Sequence, residues 1–187
     1  TYAHNGEAYS GGIVFGNQYP TPDISAFEIS SNFTVNQASY GITDVFISKY
    51  SSDGTQMLWT NFIGGGNNNQ GTETVHSLIA DKNDNLYLYG ATSSTDFPIV
   101  NGFQTIHGGG TANLNFGSNG VYHLNQGTDI YISKISADGY QLMGSTYIGG
   151  DQNDGVNYKN SSLLYEDLMT NYGDNSRGEI MLDSIGN

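Results

Sequence analysis

Cysteine is absent from this sequence, which excludes a disulfide framework and thiolate chemistry. Basic residues are scarce: five Lys and Arg stand against 18 Asp and Glu, which gives a formal net charge of −13. Such a charge repels phosphate backbones and anionic lipids, so we expect no nucleic-acid partner. The sequence also lacks any apolar run long enough to cross a bilayer, and we expect no direct membrane insertion.

Proline is rare as well, with three residues, whereas glycine is abundant, with 26. Aromatic residues make up 12% of the chain, and charged residues make up only another 12%. This combination suits many short strands joined by glycine-containing turns better than it suits helices. The composition therefore favours an all-β fold.

Two segments of the chain, residues 43–65 and 128–150, repeat each other without a gap. They read TDVFISKYSSDGTQMLWTNFIGG and TDIYISKISADGYQLMGSTYIGG, and twelve aligned positions are identical. Each segment alternates apolar and polar residues with the period of a β-strand and then carries the Asp-Gly pair of a tight turn. Each is therefore predicted to form a β-hairpin, and repetition at a fixed spacing indicates a stacked or radial architecture.

The segment between the two repeats predicts a further hairpin, so that one unit of four strands can be assembled. Its strands are predicted at 76–81, 86–92, 129–135 and 141–148. Four-stranded units repeated around an axis are the blades of a propeller. We therefore predict β-propeller blades of four antiparallel strands. Since the chain holds little more than one such unit, we expect an incomplete propeller fragment.

The predicted strands divide the chain into three parts. Residues 1–63 hold the last three strands of one blade with a long connector. Residues 76–148 form one complete blade with a long insert at 93–127. Residues 149–187 hold an insertion loop and the first strand of the next blade, which is predicted from residue 179 onward.

Successive connections in a meander alternate between the two ends of its sheet. The short turns are therefore predicted at one end and the long connectors at the other. The long connectors are residues 16–42, 64–75, 93–127 and 149–178. Length variation at one end is typical of a binding face in repeat proteins. The alternative is that the long connectors only seal that end.

No histidine spacing in the chain matches a helical metal site, and we predict neither a metal centre nor a cofactor. Asp81, Asn83 and Asn85 superficially match an oxygen-ligand calcium loop. The same positions also form a turn in which Asp and Asn bond their own backbone. The recurrence of Asp183 and Asn187 at the equivalent places favours the turn.

Catalytic motifs such as a nucleophile elbow are missing, so we predict that the protein is not an enzyme and has no catalytic residue. The nearest alternative is a glycosidase pair of connector acids, namely Asp151 with Asp154 or Glu166 with Asp167. Lys49 and Lys134 recur at one repeat position. Each is predicted to cover a strand edge or to pair with a neighbouring acid.

Aromatic residues in the long connectors are candidates for stacking on a sugar or on a partner side chain. Together with one histidine, they form the predicted ligand-binding set. Its members are Tyr122, His123, Tyr158, Tyr165 and Tyr172.

Three stretches resemble the SBBP repeat of bacterial β-propellers. They are the two quoted hairpins and ADKNDNLYLYGATSSTDFP at 80–98, which together hold 65 of the 187 residues. The chain departs from the repeat in its long inserts at 98–127 and 151–178. The resemblance supports the propeller prediction.

The resemblance also implies a bacterial extracellular location, either secreted or at the cell surface. The larger protein would be similar to Bacteroidota surface proteins exported by the type IX secretion route. The implied function is non-catalytic adhesion, with a protein or glycan at the cell surface, or the outer-membrane secretion machinery, as partner. A glycoside-active propeller enzyme and a purely structural spacer remain as alternatives.

Overall fold

The computed structural model describes residues 1–14, 43–65, 71–110, 114–116, 122–124, 127–155 and 178–186. These residues form nine strands and no helix, and hence no helix that could cross a bilayer. The predicted all-β class is thereby confirmed for this part of the chain. The strands are β1 (Ala8–Val14), β2 (Asp44–Tyr50), β3 (Met57–Ile63), β4 (Glu73–Ala80), β5 (Leu86–Thr92), β6 (Leu114–Phe116), β7 (Tyr122–Leu124), β8 (Asp129–Ile135) and β9 (Leu142–Ile148).

The strands form two antiparallel meanders and one small hairpin. β1, β2 and β3 make a three-stranded sheet in that order, and β4, β5, β8 and β9 make a four-stranded sheet. The hairpin of β6 and β7 lies within the segment that joins β5 to β8. The predicted four-strand unit is confirmed, except that β4 begins at Glu73 and not at residue 76.

The two repeated segments adopt the same hairpin. β2 pairs with β3 from Val45 opposite Ile63, and β8 pairs with β9 from Ile130 opposite Ile148. In both hairpins the register shifts beside the repeated lysine, just before the turn. The repetition seen in the sequence is therefore also a repetition of backbone geometry.

The turns of these hairpins are closed by their own side chains. Ser51 Oγ donates to Asp53 Oδ1 over 2.6 Å and accepts the N–H of Gln56 over 3.0 Å. Gly54 takes a φ of 72°, which an L-residue rarely adopts. The turn at 136–139 repeats the same bonds with the same lengths. The Ser-x-Asp-Gly pattern thus specifies this turn twice.

Apolar residues from both sheets form one buried cluster. Val45 and Ile47 of β2 and Leu86 and Leu88 of β5 are fully buried within it. Burying an aliphatic side chain of this size stabilises the fold by about 1.5–3 kcal/mol. The other buried members are Ala3, Tyr9, Trp59, Ile63, Phe97, Tyr131, Ile135 and Tyr147. The two sheets therefore share a single core.

Polar contacts fix the first sheet against the short turns of the second. Asn61 Nδ2 donates to the carbonyl of Gly139 over 2.9 Å. The Tyr9 hydroxyl donates to the carbonyl of Asp84 over 2.7 Å. Because both acceptors are backbone atoms of short turns, the contacts hold the short-turn end of the second sheet against the first sheet.

A parallel bridge between Thr43 and Thr72 joins the sheets at the opposite end. The N–H of Glu73 donates to the Thr43 carbonyl over 2.9 Å, and the Thr43 hydroxyl donates to the Glu73 carbonyl over 3.0 Å. Both threonines are buried. We call this connection the inter-sheet bridge.

The strand predicted from residue 179 onward is not formed, although the turn predicted to follow it is present. Gly186 donates its N–H to the Asp183 carbonyl, and Ile185 donates its N–H to Asp183 Oδ1, each over 3.0 Å. A strand exists only where a neighbouring strand accepts and donates its backbone hydrogen bonds. Within the described residues, none lies beside 178–186.

The turn at 81–85 confirms the interpretation that its side chains serve the backbone. Asp81 Oδ1 accepts the N–H groups of Asn83 and Asn85 over 2.8 and 3.0 Å. Asp81 Oδ2 accepts Lys134 Nζ over 3.0 Å. Both carboxylate oxygens are thus occupied by protein donors, which argues against a calcium loop here.

The repeated lysines both pair with an acid, as predicted. Lys134 pairs with Asp81, and Lys49 Nζ lies 2.7 Å from Glu7 Oε2. Each ammonium also lies near a tyrosine ring, at 5.1 Å from the Tyr9 centroid for Lys49 and 4.6 Å from the Tyr87 centroid for Lys134. The same arrangement of a lysine, an acid and a tyrosine ring therefore occurs in both sheets.

We predict that Asp81→Asn lowers the free energy of unfolding at neutral pH by about 1–2 kcal/mol. Burial raises the pKa of Asp81, but its hydrogen bonds from Asn85, Lys134 and the two N–H groups hold the pKa below the ordinary 3.8. The ionised form therefore stabilises the fold above about pH 4, and this contribution disappears as the pH falls through the folded-state pKa.

Urea unfolding of both proteins between about pH 3 and pH 8 tests this prediction. The difference in unfolding free energy should be constant near neutrality and shrink in acid. Asp151→Asn, which removes the same charge from an exposed position, is the control and should show little difference. A difference for Asp81→Asn that does not change with pH would contradict the assignment.

Candidate functional site

The long connectors leave the sheets at a single end, which we call the loop-bearing end. The order of the antiparallel strands puts the β2–β3, β4–β5 and β8–β9 turns together at the other end. β1, β3 and β5 end at the loop-bearing end, and β2, β4 and β8 begin there. The predicted segregation is confirmed for these connections.

Each repeated hairpin places an aspartate against a glycine at the loop-bearing end. Asp44 begins β2 and Gly64 follows β3, and the antiparallel pairing brings them together. A methyl group on Gly64 would overlap Asp44 Oδ1, and one on Gly149 would overlap the carboxylate of Asp129. The aspartate at the start of each repeat therefore requires a glycine, with no side chain, at the end of the same repeat.

Asp129 is fully buried and is held by the connector that precedes it. Its Oδ2 accepts the N–H of Gly108 over 2.8 Å and Nε2 of Gln104 over 3.2 Å. Gln104 Oε1 in turn accepts the N–H of Gly149 over 3.1 Å. Burial raises the pKa of Asp129, and the Gly108 hydrogen bond opposes this.

The equivalent acid of the first sheet has a different environment. Asp44 is 1% exposed, and neither of its carboxylate oxygens has a hydrogen-bond partner among the described residues. Glu73, fully buried beside it, accepts the Thr92 hydroxyl at Oε1 over 2.7 Å, and the Ser94 hydroxyl and the Gly65 N–H lie beside its carboxylate. Two buried carboxyl groups thus meet at the inter-sheet bridge.

Burial is the main cause of the altered acidity of this pair. Loss of solvation raises the pKa of Asp44 to about 7. Burial raises the pKa of Glu73 to about 8; the hydroxyls of Ser94 and Thr92 oppose the rise, and the nearby Asp44 charge adds to it. Both groups therefore hold a proton far more readily than exposed carboxyls do.

The connector after β5 covers the free edge of the four-stranded sheet. The N–H of Ser145 donates to the Val100 carbonyl over 2.7 Å, and the N–H of Tyr147 donates to the Gln104 carbonyl over 3.1 Å. The edge strand β9 is thus paired along part of its length, which blunts its tendency to pair with another chain.

Two apolar side chains stand out from this edge-covering segment. Phe103 is 95% exposed and Ile106 is 78% exposed. They flank Gln104, whose backbone and side-chain bonds fix the segment to β9 and to Asp129. The exposed pair is therefore presented from a backbone that is already anchored.

His107 and His76 serve packing and local bonding. His107 is 8% exposed, accepts the N–H of Gly109 at Nδ1 and contacts the Thr92 carbonyl through Nε2 over 3.3 Å. His76 lies on β4, bonds the Thr74 hydroxyl over 2.8 Å and packs on a tyrosine ring. No three His, Cys, Asp or Glu side chains cluster as metal ligands in the part of the chain described.

The structure brings few of the sequence-predicted site residues together. Tyr122 and His123 lie on β7 and pair with β6, inside the connector between β5 and β8. Tyr158, Tyr165 and Tyr172 lie outside the described residues, as do the acids Glu166 and Asp167. The predicted ligand-binding set therefore stays a prediction.

Of the connector acids Asp151 and Asp154, both of which are described, Asp154 bonds the local backbone. Asp154 Oδ2 accepts the N–H of Gly150 over 2.8 Å, and the N–H of Asp154 donates to the Thr128 carbonyl over 2.7 Å. Asp151 is exposed. Asp154 therefore anchors the chain that follows β9.

Sequence reasoning did not single out Asp44, Glu73 or Asp129 as site residues. A signal was present, because Thr-Asp opens both repeated hairpins and Gly-Gly closes both. No protein-family model matches this chain, and no curated protein matches it either. The function of the loop-bearing end is therefore argued from its own residues.

We predict that Gly149→Ala lowers the free energy of unfolding by about 1–3 kcal/mol, because the added methyl group overlaps the buried Asp129 carboxylate. The control is Gly144→Ala in β9, where the methyl group would meet nothing closer than the Val100 carbonyl oxygen at 3.9 Å. This control should be neutral or slightly stabilising. Urea unfolding measures both variants, and equal stabilities would contradict the Asp-Gly contact.

Proposed function

We propose that the two sheets are neighbouring blades of a β-propeller and that the chain is a non-catalytic binding module of a larger secreted or cell-surface protein. Its loop-bearing end meets a protein or a glycan outside the cell. The observation that carries this proposal is the exposed pair Phe103 and Ile106, held on an anchored segment.

The propeller arrangement is supported by the likeness of the two sheets. Both are antiparallel meanders with the same hairpin geometry, and they stack with their short-turn ends together. In a propeller, four-stranded blades follow one another around an axis and protect one another's faces. The shared core and the inter-sheet bridge are what such stacking requires.

A binding role for the loop-bearing end is supported by physical reasoning about exposed apolar groups. Leaving a phenylalanine almost entirely in water forfeits about 1.5–3 kcal/mol that burial would supply. Aromatic anchors on ordered backbone are typical of binding hot spots, since little conformational entropy is lost when a partner covers them. The β6–β7 hairpin, which holds Tyr122 and His123, belongs to the same connector.

The proposed setting rests on the resemblance of the repeated hairpins to the SBBP repeat. That resemblance implies an extracellular bacterial protein, and export by the type IX route belongs to this proposal. Cell-surface proteins, glycans and the outer-membrane secretion machinery are the partners it would meet there.

The test compares the wild type with the double variant Phe103→Ser, Ile106→Ser. Binding is measured on a glycan array and on immobilised bacterial outer-membrane proteins. We expect the wild type to bind and the double variant to lose at least about tenfold in affinity. Tyr140→Ser, which removes a half-exposed aromatic group at the short-turn end, should bind like the wild type.

Other outcomes separate the alternatives. Hydrolysis of an arrayed glycan by the wild type would favour the glycoside-active enzyme. Absence of any binding by the wild type would favour the structural spacer. Equal losses of affinity for the double variant and for Tyr140→Ser would show that the loop-bearing end is not the binding surface.

A further inference from the structure

The first sheet has one strand fewer than the second. β2 and β3 repeat β8 and β9, and β1 holds the place of β5, since each pairs with the first strand of a repeated hairpin. In the second sheet, β4 pairs with the other edge of β5. The described residues place no strand at the equivalent edge of β1, so this edge lacks a partner strand there.

The first two residues of the chain begin the ladder that such a strand would complete. The N–H of Tyr9 donates to the Thr1 carbonyl over 2.8 Å, and the Thr1 amino group donates to the Tyr9 carbonyl over 3.1 Å. Tyr2 forms a bridge with Ala8. These contacts match the last two pairs between β4 and β5. Thr1 and Tyr2 therefore occupy the final two positions of a strand beside β1.

The turn that follows these two residues repeats its counterpart in the second sheet. Ala3 donates its N–H to the Glu7 carbonyl over 2.8 Å, and Asp81 donates its N–H to the Asn85 carbonyl over 2.9 Å. Because the turn and the two ladder positions agree in both sheets, a strand beside β1 has a defined register. It also has a defined direction, which is antiparallel to β1.

The backbone of β1 carries further hydrogen-bonding groups on the same edge. Tyr9 directs its N–H and its carbonyl at Thr1. Since these directions alternate along a strand, the N–H and carbonyl groups of Gly11 and Ile13 point the same way. A row of such groups at an unpaired edge is a template for one more strand.

An open groove of about 400 Å³ lies along this edge. It is lined on one side by Thr1, Tyr9, Ser10 and Gly11, and on the other side by residues 75–78 of β4. The two walls approach closely at Gly11, where an added methyl group would lie 2.9 Å from Leu78 Cδ1. A strand edge beside a wall of side chains is the arrangement by which proteins bind extended peptides.

We propose that this groove binds an extended peptide, which adds to β1 as the fourth strand of the first sheet. The peptide has the residue pattern of β4, which fills the equivalent place in the second sheet. β4 has eight residues, and Thr1 and Tyr2 hold two of the equivalent positions, which leaves six for the peptide. Backbone hydrogen bonds to Gly11 and Ile13 hold it. The site is independent of the binding function proposed above.

The probe is the synthetic peptide ETVHSL, the sequence of residues 73–78, with a fluorophore at its N-terminus. Fluorescence anisotropy measures its binding to the 187-residue chain, and thermal unfolding measures the change in Tm. We expect one peptide to bind each chain and to raise Tm, because it binds the folded state.

Two N-methylated peptides test the pairing itself. In β4, Ser77 lies opposite Tyr89, the counterpart of Gly11. The N–H of Ser77 in the bound peptide therefore faces β1, whereas the N–H of Leu78 faces away from it. N-methylation at Ser77 should weaken binding by at least about tenfold, since it removes a hydrogen bond. The peptide N-methylated at Leu78 is the matched control and should bind like the unmodified one.

A pair of variants at Ile13 tests the other side of the ladder. Ile13→Pro removes an N–H from the free edge, and Ile13→Ala keeps it. Because this N–H points away from β2, proline at this edge position preserves the pairing of β1 with β2. Ile13→Pro should bind the peptide at least about tenfold more weakly than Ile13→Ala. If Ile13→Pro does not fold, the two N-methylated peptides decide the question with the wild-type chain.

The proposal is overturned if the wild type does not bind the peptide or if both N-methylated peptides bind equally. It is also overturned if a folded Ile13→Pro binds the peptide as tightly as Ile13→Ala does. A dimer of the chain that the peptide fails to dissociate would place a second copy in the groove and would likewise contradict the proposal.

Discussion

The inter-sheet bridge between Thr43 and Thr72 is the constraint on which the arrangement of the two sheets depends. It sets β2 beside β4 through the hydrogen bond from the Glu73 N–H to the Thr43 carbonyl. At the other end, the Tyr9 hydroxyl donates to the carbonyl of Asp84. With both ends fixed, the apolar faces close on one another and form one core, which neither sheet could bury alone.

The charged residues have different surroundings at the two ends of the structure. At the short-turn end, each repeated lysine pairs with an acid and lies near a tyrosine ring, so charge is matched inside the sheets. At the loop-bearing end, the inter-sheet bridge draws Asp44 and Glu73 out of water together. The first end carries structural ion pairs, whereas the second carries unmatched carboxyl groups and exposed apolar residues, which are properties of ligand sites.

Local patterns in the sequence predicted most of the fold, because strands and turns are specified by neighbouring residues. Alternation located β5 and β8, and the recurrence of Asp183 correctly assigned Asp81 to a turn. The strand predicted from residue 179 onward is not formed, because a strand needs a neighbouring strand to pair with and the local sequence does not reveal whether one is present. The buried acids were missed for a similar reason: Glu73 preceded the predicted strand, and only the contact between the sheets removes it and Asp44 from water.

Amide hydrogen exchange at Glu73 measures the central claim directly, because the N–H of Glu73 is bonded to a carbonyl of the other sheet. If the sheets are docked, this amide exchanges as slowly as that of Leu88, which lies between two neighbours within the four-stranded sheet. Exchange as fast as that of Thr55, which sits in an exposed turn, would show that the sheets separate in solution and would contradict the account.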